Sequence, residues 1–198
     1  MSFKRSFFNL AYRGIPPWDT GRPNPQIVGL EEAGWISGSV LDAGCGTGEN
    51  ALYLAARGHD VWGVDAAPLA VRKAEQKARE RGISARFLRA DALRLDRLGR
   101  TFDTVVDVGL FHTFSNRERE RYTASLSAVL RPRGKLVIWC FSDQGETGSA
   151  GPRRVSQAEI RGTFSAGWKV LEITPVRFER SAGGDTWARA WLCQIVRE

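Results

Sequence analysis

Val40-Leu41-Asp42-Ala43-Gly44-Cys45-Gly46-Thr47-Gly48 is the stretch that decides the reading of this chain. Val40-Leu41 opens a strand, and three glycines at alternate positions turn the chain sharply. Ala51 to Arg57 follows as a helix, stopped by Gly58. A strand, a glycine turn and a helix bring backbone close to a ligand and point helix N–H groups at it. The spacing is G-x-G-x-G. A dinucleotide fingerprint requires G-x-G-x-x-G, and position 49 is glutamate. Glu49 would also repel a pyrophosphate, so the loop predicts a nucleoside ligand without phosphates.

The segments downstream repeat the same alternation. Val61 to Val64 is a strand running into Asp65. Pro68 suits a first helical turn, and Leu69 to Arg81 carries an apolar stripe up to Gly82. Ala85 to Leu88 is a third strand leading to Asp91-Ala92, and Phe102 to Val108 a fourth. Arg117 to Leu130 is a helix stopped by Pro132 and Gly134, and Lys135 to Phe141 a fifth strand. Strands alternating with helices of this length predict βαβ units and a parallel sheet covered on both faces. The end of the chain differs. Ser156 to Phe164 reads as a helix. Trp168 to Arg180 and Thr186 to Val196 are β-rich runs separated by the turn Ser181-Ala182-Gly183-Gly184-Asp185, which predicts an antiparallel hairpin. Residues 142–155 form the longest loop. Residues 1–37 read as an appended segment with Ile15-Pro16-Pro17-Trp18 as a rigid hinge, and residues 38–198 as the domain proper.

Composition bounds the function classes. The chain has 198 residues, 42% hydrophobic and 26% charged, which fits one globular domain and excludes collagen-like, low-complexity or wholly disordered chains. No 18-residue apolar run occurs and the N-terminus lacks a signal-peptide core, so a cytoplasmic protein with no membrane span is expected. Three cysteines without a CxxC fit a reducing compartment, and two distant histidines make no metal site, so no metal is expected. The net charge of +7 is spread thinly. The densest basic run, Arg72 to Arg81, is interleaved with Glu75 and Glu80 and suits a solvated helix face, which makes nucleic acid an unlikely partner.

Three acids fall at the ends of adjacent strands: Asp42, Asp65 and Asp91. In open α/β sheets that rim binds ligands. Asp65, with Ala66 beside it, is placed to accept hydrogen bonds from both hydroxyls of a ribose. Asp91 can accept from an exocyclic adenine amine while the Ala92 N–H faces a ring nitrogen. The alternative reading makes Asp42 and Asp91 only turn formers or N-caps.

These segments together resemble the class I S-adenosylmethionine-dependent methyltransferases. Residues 42–48 resemble that family's first motif, 61–65 its second and 87–92 its third. Phe102 to Asp107 resembles the fourth, and Leu130 to Leu136 the entry to the fifth strand, with Arg133 in place of a usual glycine. The resemblance implies an α/β, doubly wound, Rossmann-like seven-stranded sheet, mostly parallel with a C-terminal antiparallel hairpin. It implies S-adenosylmethionine as cofactor, S-adenosylhomocysteine as product, and cofactor contacts from Asp42, Gly44, Cys45, Gly46, Asp65, Ala66, Asp91, Ala92 and Asp107. Pro17-Trp18-Asp19-Thr20-Gly21-Arg22 resembles the N-terminal motif of thiopurine, thiol/halide and tellurite-type methyltransferases. Gly109 to Phe114 and Cys140 to Asp143 are similar to bacterial small-molecule relatives, including heterocyclic-toxin methyltransferases. In such enzymes the N-terminal segment folds over the cofactor, so Trp18 would cover the methionine moiety, with an aromatic face toward the sulfonium.

Methyl transfer from such a cofactor needs positioning more than a covalent nucleophile. His112, just after the fourth strand, is the candidate catalytic base for a phenol, ring N–H or thiol. Phe111, His112 and Arg153 are candidate substrate walls. The expected reaction is methylation of an N, O or S atom, or a halide, in a small aromatic or heterocyclic acceptor. The alternatives are a nucleic-acid or protein methyltransferase, or a non-catalytic protein that binds the cofactor. The amino-methylating signature [DNS]-P-P-[YFW] is absent after strand four, where the chain reads Asp107-Val108-Gly109-Leu110. The sequence leaves the acceptor and the oligomeric state open.

Overall fold

Strands buried on both faces must be apolar nearly throughout, and two such strands stand at the centre of the sheet. They are β1 (Ser39–Ala43) and β4 (Phe102–Val108), paired in parallel with Leu41 opposite Val105. In this computed structural model residues 3–144, 153–179 and 187–198 are described. On one side of the centre lie β2 (Asp60–Asp65) and β3 (Arg86–Arg89). On the other lie β5 (Leu130–Phe141), β7 (Trp187–Arg197) and β6 (Trp168–Glu179). The order β3-β2-β1-β4-β5-β7-β6 makes a seven-stranded sheet in which β7 alone runs against its neighbours β5 and β6. The expected doubly wound sheet with its antiparallel end is what the chain forms. The hairpin's turn, and loop residues 145–152, lie outside the described residues.

Alternation along the central strands sends side chains to two cores. Leu41, Val105, Leu136 and Ile138 pack toward Tyr122, Leu126 and Val129 of α5 (Asn116–Val129). Val40, Val106 and Val137 pack toward Leu52 of α3 (Glu49–Ala56) and Ala74 of α4 (Pro68–Arg81). Local chemistry sets the helix ends. Ser115 and Glu118 form a capping box on α5, and Ser156 and Glu159 form another on α6 (Gln157–Thr163). Cys140 and Cys193 are buried, as their strand patterns imply.

Two helices lie in the N-terminal segment, where the sequence reading placed none: α1 (Phe3–Ala11) and α2 (Pro25–Glu32). The second has a legible signal, Asn24 capping the Gln26 N–H with proline at the first helical position. The first is a short helix whose C-terminal end is held by tertiary contacts. Asn9 Oδ1 accepts from the Leu69 N–H at 3.1 Å, and Lys73 Nζ donates to the Gly14 carbonyl at 2.7 Å.

The entry to β5 also departs from expectation. Leu130 already pairs with Phe102, and Thr104 next pairs with Lys135, so residues 131–134 bulge. Arg133 turns that corner at φ 62°, in the left-handed region. A side chain there costs about 1–2 kcal/mol. Glycine would remove that strain and return about 0.5–1 kcal/mol as chain entropy in the unfolded state. Arg133 is exposed, so little packing is at stake. Arg133→Gly should raise the unfolding free energy by about 0.5–1 kcal/mol, read as a higher denaturant midpoint at unchanged slope. A lower midpoint would show that the corner stores no strain.

Candidate active site

The order of strands reverses between β1 and β4, and the crevice beyond their C-terminal ends holds the glycine turn. Val64 closes that turn against β2, its carbonyl accepting the N–H groups of Gly44 and Cys45 at 2.8 and 2.9 Å. Gly48 starts α3 at φ 86°, and as the N-cap residue it has no side chain to cap the helix. A Cβ on Gly48 would lie 2.9 Å from Ala74 and from the Phe87 ring, so only glycine lets α3 and α4 close together here. The N–H groups of the first turn of α3 are thus directed at the crevice.

Asp42 takes one of them, that of Ala51. The carboxyl is 1% exposed, and its Oδ2 is buried without a hydrogen-bond partner. Burial pushes its pKa up to about 7, with the charges of Asp107 and Asp65 adding to the shift. Asp65 bridges the turn. Its Oδ2 accepts from the Gly46 N–H at 3.0 Å and its Oδ1 from the Ala67 N–H at 2.7 Å. Burial raises its pKa despite those bonds. Asp91 caps the following 3₁₀ stretch (Ala92–Leu98) through the Leu93 N–H, the role of the plainer alternative for this residue. Buried acids gathered at an open helix N-terminus repel one another until a cation arrives.

The N-terminal segment lies over this turn. Tyr12 is buried, and its hydroxyl would stand 2.9 Å from a Cβ on Gly46. Burial and the Asp65 charge raise its pKa far above the usual phenol range, so it stays neutral. Trp18 stands one layer further out. It is 41% exposed, donates from Nε1 to the Tyr12 hydroxyl at 3.0 Å and meets the Phe8 ring edge-on. The aromatic ring next to the loop is therefore Tyr12, which the sequence reading passed over. Phe8 and Tyr12, four apart on a helix, were the available signal. Polar links hold the segment down. Thr47 Oγ1 donates to Asp19 Oδ1 at 2.9 Å, Lys77 Nζ donates to Thr47 and to Glu49 at 2.7 Å, and Arg81 grips Glu49 with both Nη atoms. Burial alone would raise Glu49's pKa, but Arg81 and Lys77 hold it below the usual carboxylate range. Its charge is thereby neutralised, so repulsion of a pyrophosphate is not its role. The spacing of the glycines alone separates this loop from a dinucleotide fingerprint.

After β4 the chain makes a short 3₁₀ turn (Phe111–Thr113). Asp107 builds it. Its Oδ1 accepts from the Leu110 and Phe111 N–H groups at 2.9 and 3.2 Å, and its Oδ2 from the Tyr122 hydroxyl at 2.8 Å. Asp107 is fully buried with both oxygens engaged, so its geometry is that of a support for the turn rather than of a direct ligand contact. Phe111 is also fully buried and packs on Phe164. His112 Nδ1 accepts the Phe141 N–H at 3.3 Å, which puts the ring proton on Nε2. Burial, with the charges of Arg119 and Arg154, lowers its pKa to about 3. Arg153 lies at the surface and ties Asn116 to Glu159.

The residues of the crevice suit S-adenosylmethionine. The orphaned Asp42 Oδ2 and the acids beside it await a cationic group, and the glycine turn offers a backbone cradle without phosphate-binding spacing. The methyltransferase domain family matches residues 40–134. The 2-heptyl-1-hydroxyquinolin-4(1H)-one methyltransferase of Mycobacteroides abscessus is 36% identical over 190 residues, 91% of this chain and 84% of that protein. A probable thiol methyltransferase of Arabidopsis thaliana is 30% identical over 149 residues, 74% of this chain and 65% of that protein. A solved structure from work on the conversion of a disulfide bond into a thioacetal group during echinomycin biosynthesis is 36% identical, with a TM-score of 0.89 over 98% of this chain and 93% of that one. Magnesium protoporphyrin IX methyltransferase of Synechocystis PCC 6803, solved with bound cofactor, shares the fold at 23% identity and a TM-score of 0.67, over 88% of this chain and 77% of that one. This chain belongs to the S-adenosylmethionine-dependent methyltransferases of the methyltransferase domain family. Its cofactor is S-adenosylmethionine, and among the described residues no helix is long and apolar enough to cross a membrane.

Proposed function

We propose that the enzyme methylates an N, O or S atom, or a halide, in a small aromatic or heterocyclic acceptor, with residues 1–37 acting as a lid on the 38–198 domain and the cytoplasm as its location. The observation that carries this reading is the crevice itself, a glycine-started helix and a buried carboxyl with one oxygen unpartnered, under an aromatic N-terminal cover. The names of the relatives, a hydroxyquinolone and a thiol methyltransferase, support a small-molecule acceptor. The nucleic-acid or protein alternative finds no support in them.

When bound, S-adenosylmethionine supplies a methyl group activated by a sulfonium. The chain's own residues do the rest. Asp42 and the Gly44, Cys45 and Gly46 backbone hold the methionine end. Asp65 and Ala66 hold the ribose, and Asp91 and Ala92 the adenine. Asp107 fixes the turn that carries Leu110, Phe111 and His112. Tyr12 and Trp18 exclude water, which strengthens every electrostatic contact inside. Phe111 backs the acceptor side, and Arg153 braces it from the surface. His112, neutral and with its lone pair taken by Phe141, offers Nε2–H as a donor that orients the acceptor.

Two experiments test this. Calorimetric titration with S-adenosylmethionine, followed by a labelled methyl-transfer screen over thiols, phenols, halides and N-heterocycles beside RNA, should show binding and labelled small molecules. Binding without any turnover would make the protein a sensor, and labelled RNA would revive the alternative. His112→Asn should raise KM and lower kcat by less than about tenfold, leaving the pH–rate profile in place. A general base would be worth about 10²–10⁴-fold, and its removal would erase the acidic limb.

A further inference from the structure

Beyond the Leu110 turn the rim changes sign. Leu110 packs against the Gly44 position, so the turn that carries Phe111 and His112 neighbours the glycine loop. Arg119 on α5 has a side chain only 2% exposed. Its Nη1 donates to Glu159 Oε1 at 3.1 Å, while its Nε and Nη2 are buried with no hydrogen-bond partner. The guanidinium lies 4.5 Å from the Phe111 ring centre. Arg154 repeats the pattern: Nη1 is buried without a partner and the guanidinium lies 5.5 Å from the Phe141 ring. His112 stacks on the same Phe141 ring at 4.8 Å, within the field of both cations.

The local anions do not balance these charges. Glu159 is the one carboxylate in contact among the described residues. Its Oε1 already serves Arg119 and Arg153, and its Oε2 accepts the Ser156 N–H. Asp107 is committed to Tyr122 and the turn. The Cys140 thiol is kept neutral by its contact with Cys193 and by burial. Buried cationic N–H groups without acceptors are costly, and such groups are kept where a ligand completes them.

We propose that Arg119, Arg154 and the Nε2–H of His112 form an anion-binding wall that selects acceptors ionised at or beside the attacking atom, an aromatic thiolate or oxyanion. This rests on the methyltransferase reading above and narrows its substrate class. The acceptor then enters with its lone pair already uncovered, and no side chain has to remove a proton. Acceptor affinity follows the acceptor's own ionisation rather than that of an enzyme group.

The test uses enzyme saturated with S-adenosylhomocysteine, titrated at pH 8 with 4-nitrothiophenolate and with 4-nitrotoluene, a neutral probe of the same shape. The wild type should bind the anion at least about tenfold more tightly, the worth of one charge-assisted hydrogen bond. Arg119→Gln and Arg154→Gln should each remove most of that preference, leaving the neutral probe and S-adenosylhomocysteine bound as before. Arg119→Lys should keep part of it. No preference in the wild type, or equal weakening of both probes in the variants, would overturn the proposal. If Arg119→Gln fails to fold, Arg154→Gln, less buried, decides alone. A wild type that prefers the anion but methylates nothing in the screen would sink the catalytic reading and leave the wall standing. Turnover of neutral acceptors without an anion preference would do the reverse.

Discussion

Asp42→Asn should make the apoprotein more stable at pH 8 and weaken its grip on S-adenosylmethionine. In the unfolded chain this carboxyl ionises near its ordinary value of 3.8, whereas burial holds the folded pKa at about 7. Between those values the folded state keeps a proton that the unfolded state has lost. The apoprotein therefore loses about 1.4 kcal/mol of stability per pH unit from this group as pH rises from 4 to 7, and the loss is complete above 7. Asp107 works in the same sense, while Glu49, Glu159 and Asp103, held below their usual values, lose their contributions only in acid. Asparagine keeps an acceptor for the Ala51 N–H and never charges. Its apoprotein should gain about 1–3 kcal/mol at pH 8, with a flatter pH dependence by denaturant titration. The cost falls on the ligand. Losing a charged hydrogen-bond acceptor is worth about 1.5–3 kcal/mol, so affinity should drop by roughly tenfold or more by calorimetry. Unchanged affinity would remove Asp42 from the site.

Deleting residues 1–22 should abolish turnover, by more than about a hundredfold, while the sheet and its helices stay folded. The deletion removes Tyr12 from above Gly46, Trp18 from behind it, and Asp19 from Thr47. None of these contacts belongs to the two large cores, which draw on Ile27 onward. Far-UV circular dichroism should be retained, and single-turnover rates on the best acceptor should collapse. A truncated enzyme with full activity would end the lid reading.

The sheet was legible because its determinants are local. Val40-Leu41, Val61 to Val64 and Phe102 to Val108 are apolar runs between glycine and proline punctuation, and strand order follows from right-handed connection. Asp42 and Asp65 were legible because each ends such a strand beside the glycine turn. The acceptor side was not. Arg119 sits in Asn116-Arg117-Glu118-Arg119-Glu120-Arg121, which reads as a solvated helix face. Only packing against Phe111 and α6 shows that one arginine of the run points inward. Arg153 and Arg154 adjoin in sequence, and the fold alone separates a surface tie from a half-buried guanidinium whose Nη1 is buried. His112 read as a base because imidazole titrates near neutrality. Its burial, and the Phe141 N–H on its lone pair, belong to strands distant in sequence.

Glu159 does two jobs at once. One oxygen begins helix α6, and the other neutralises part of the arginine wall. A lineage that altered this position to suit a new acceptor would unwind the start of α6 in the same step. Arg154 begins no helix, and its neighbour contact is the face of Phe141. Divergence in acceptor choice is therefore channelled away from position 159 and toward position 154, where a change of charge leaves the scaffold intact.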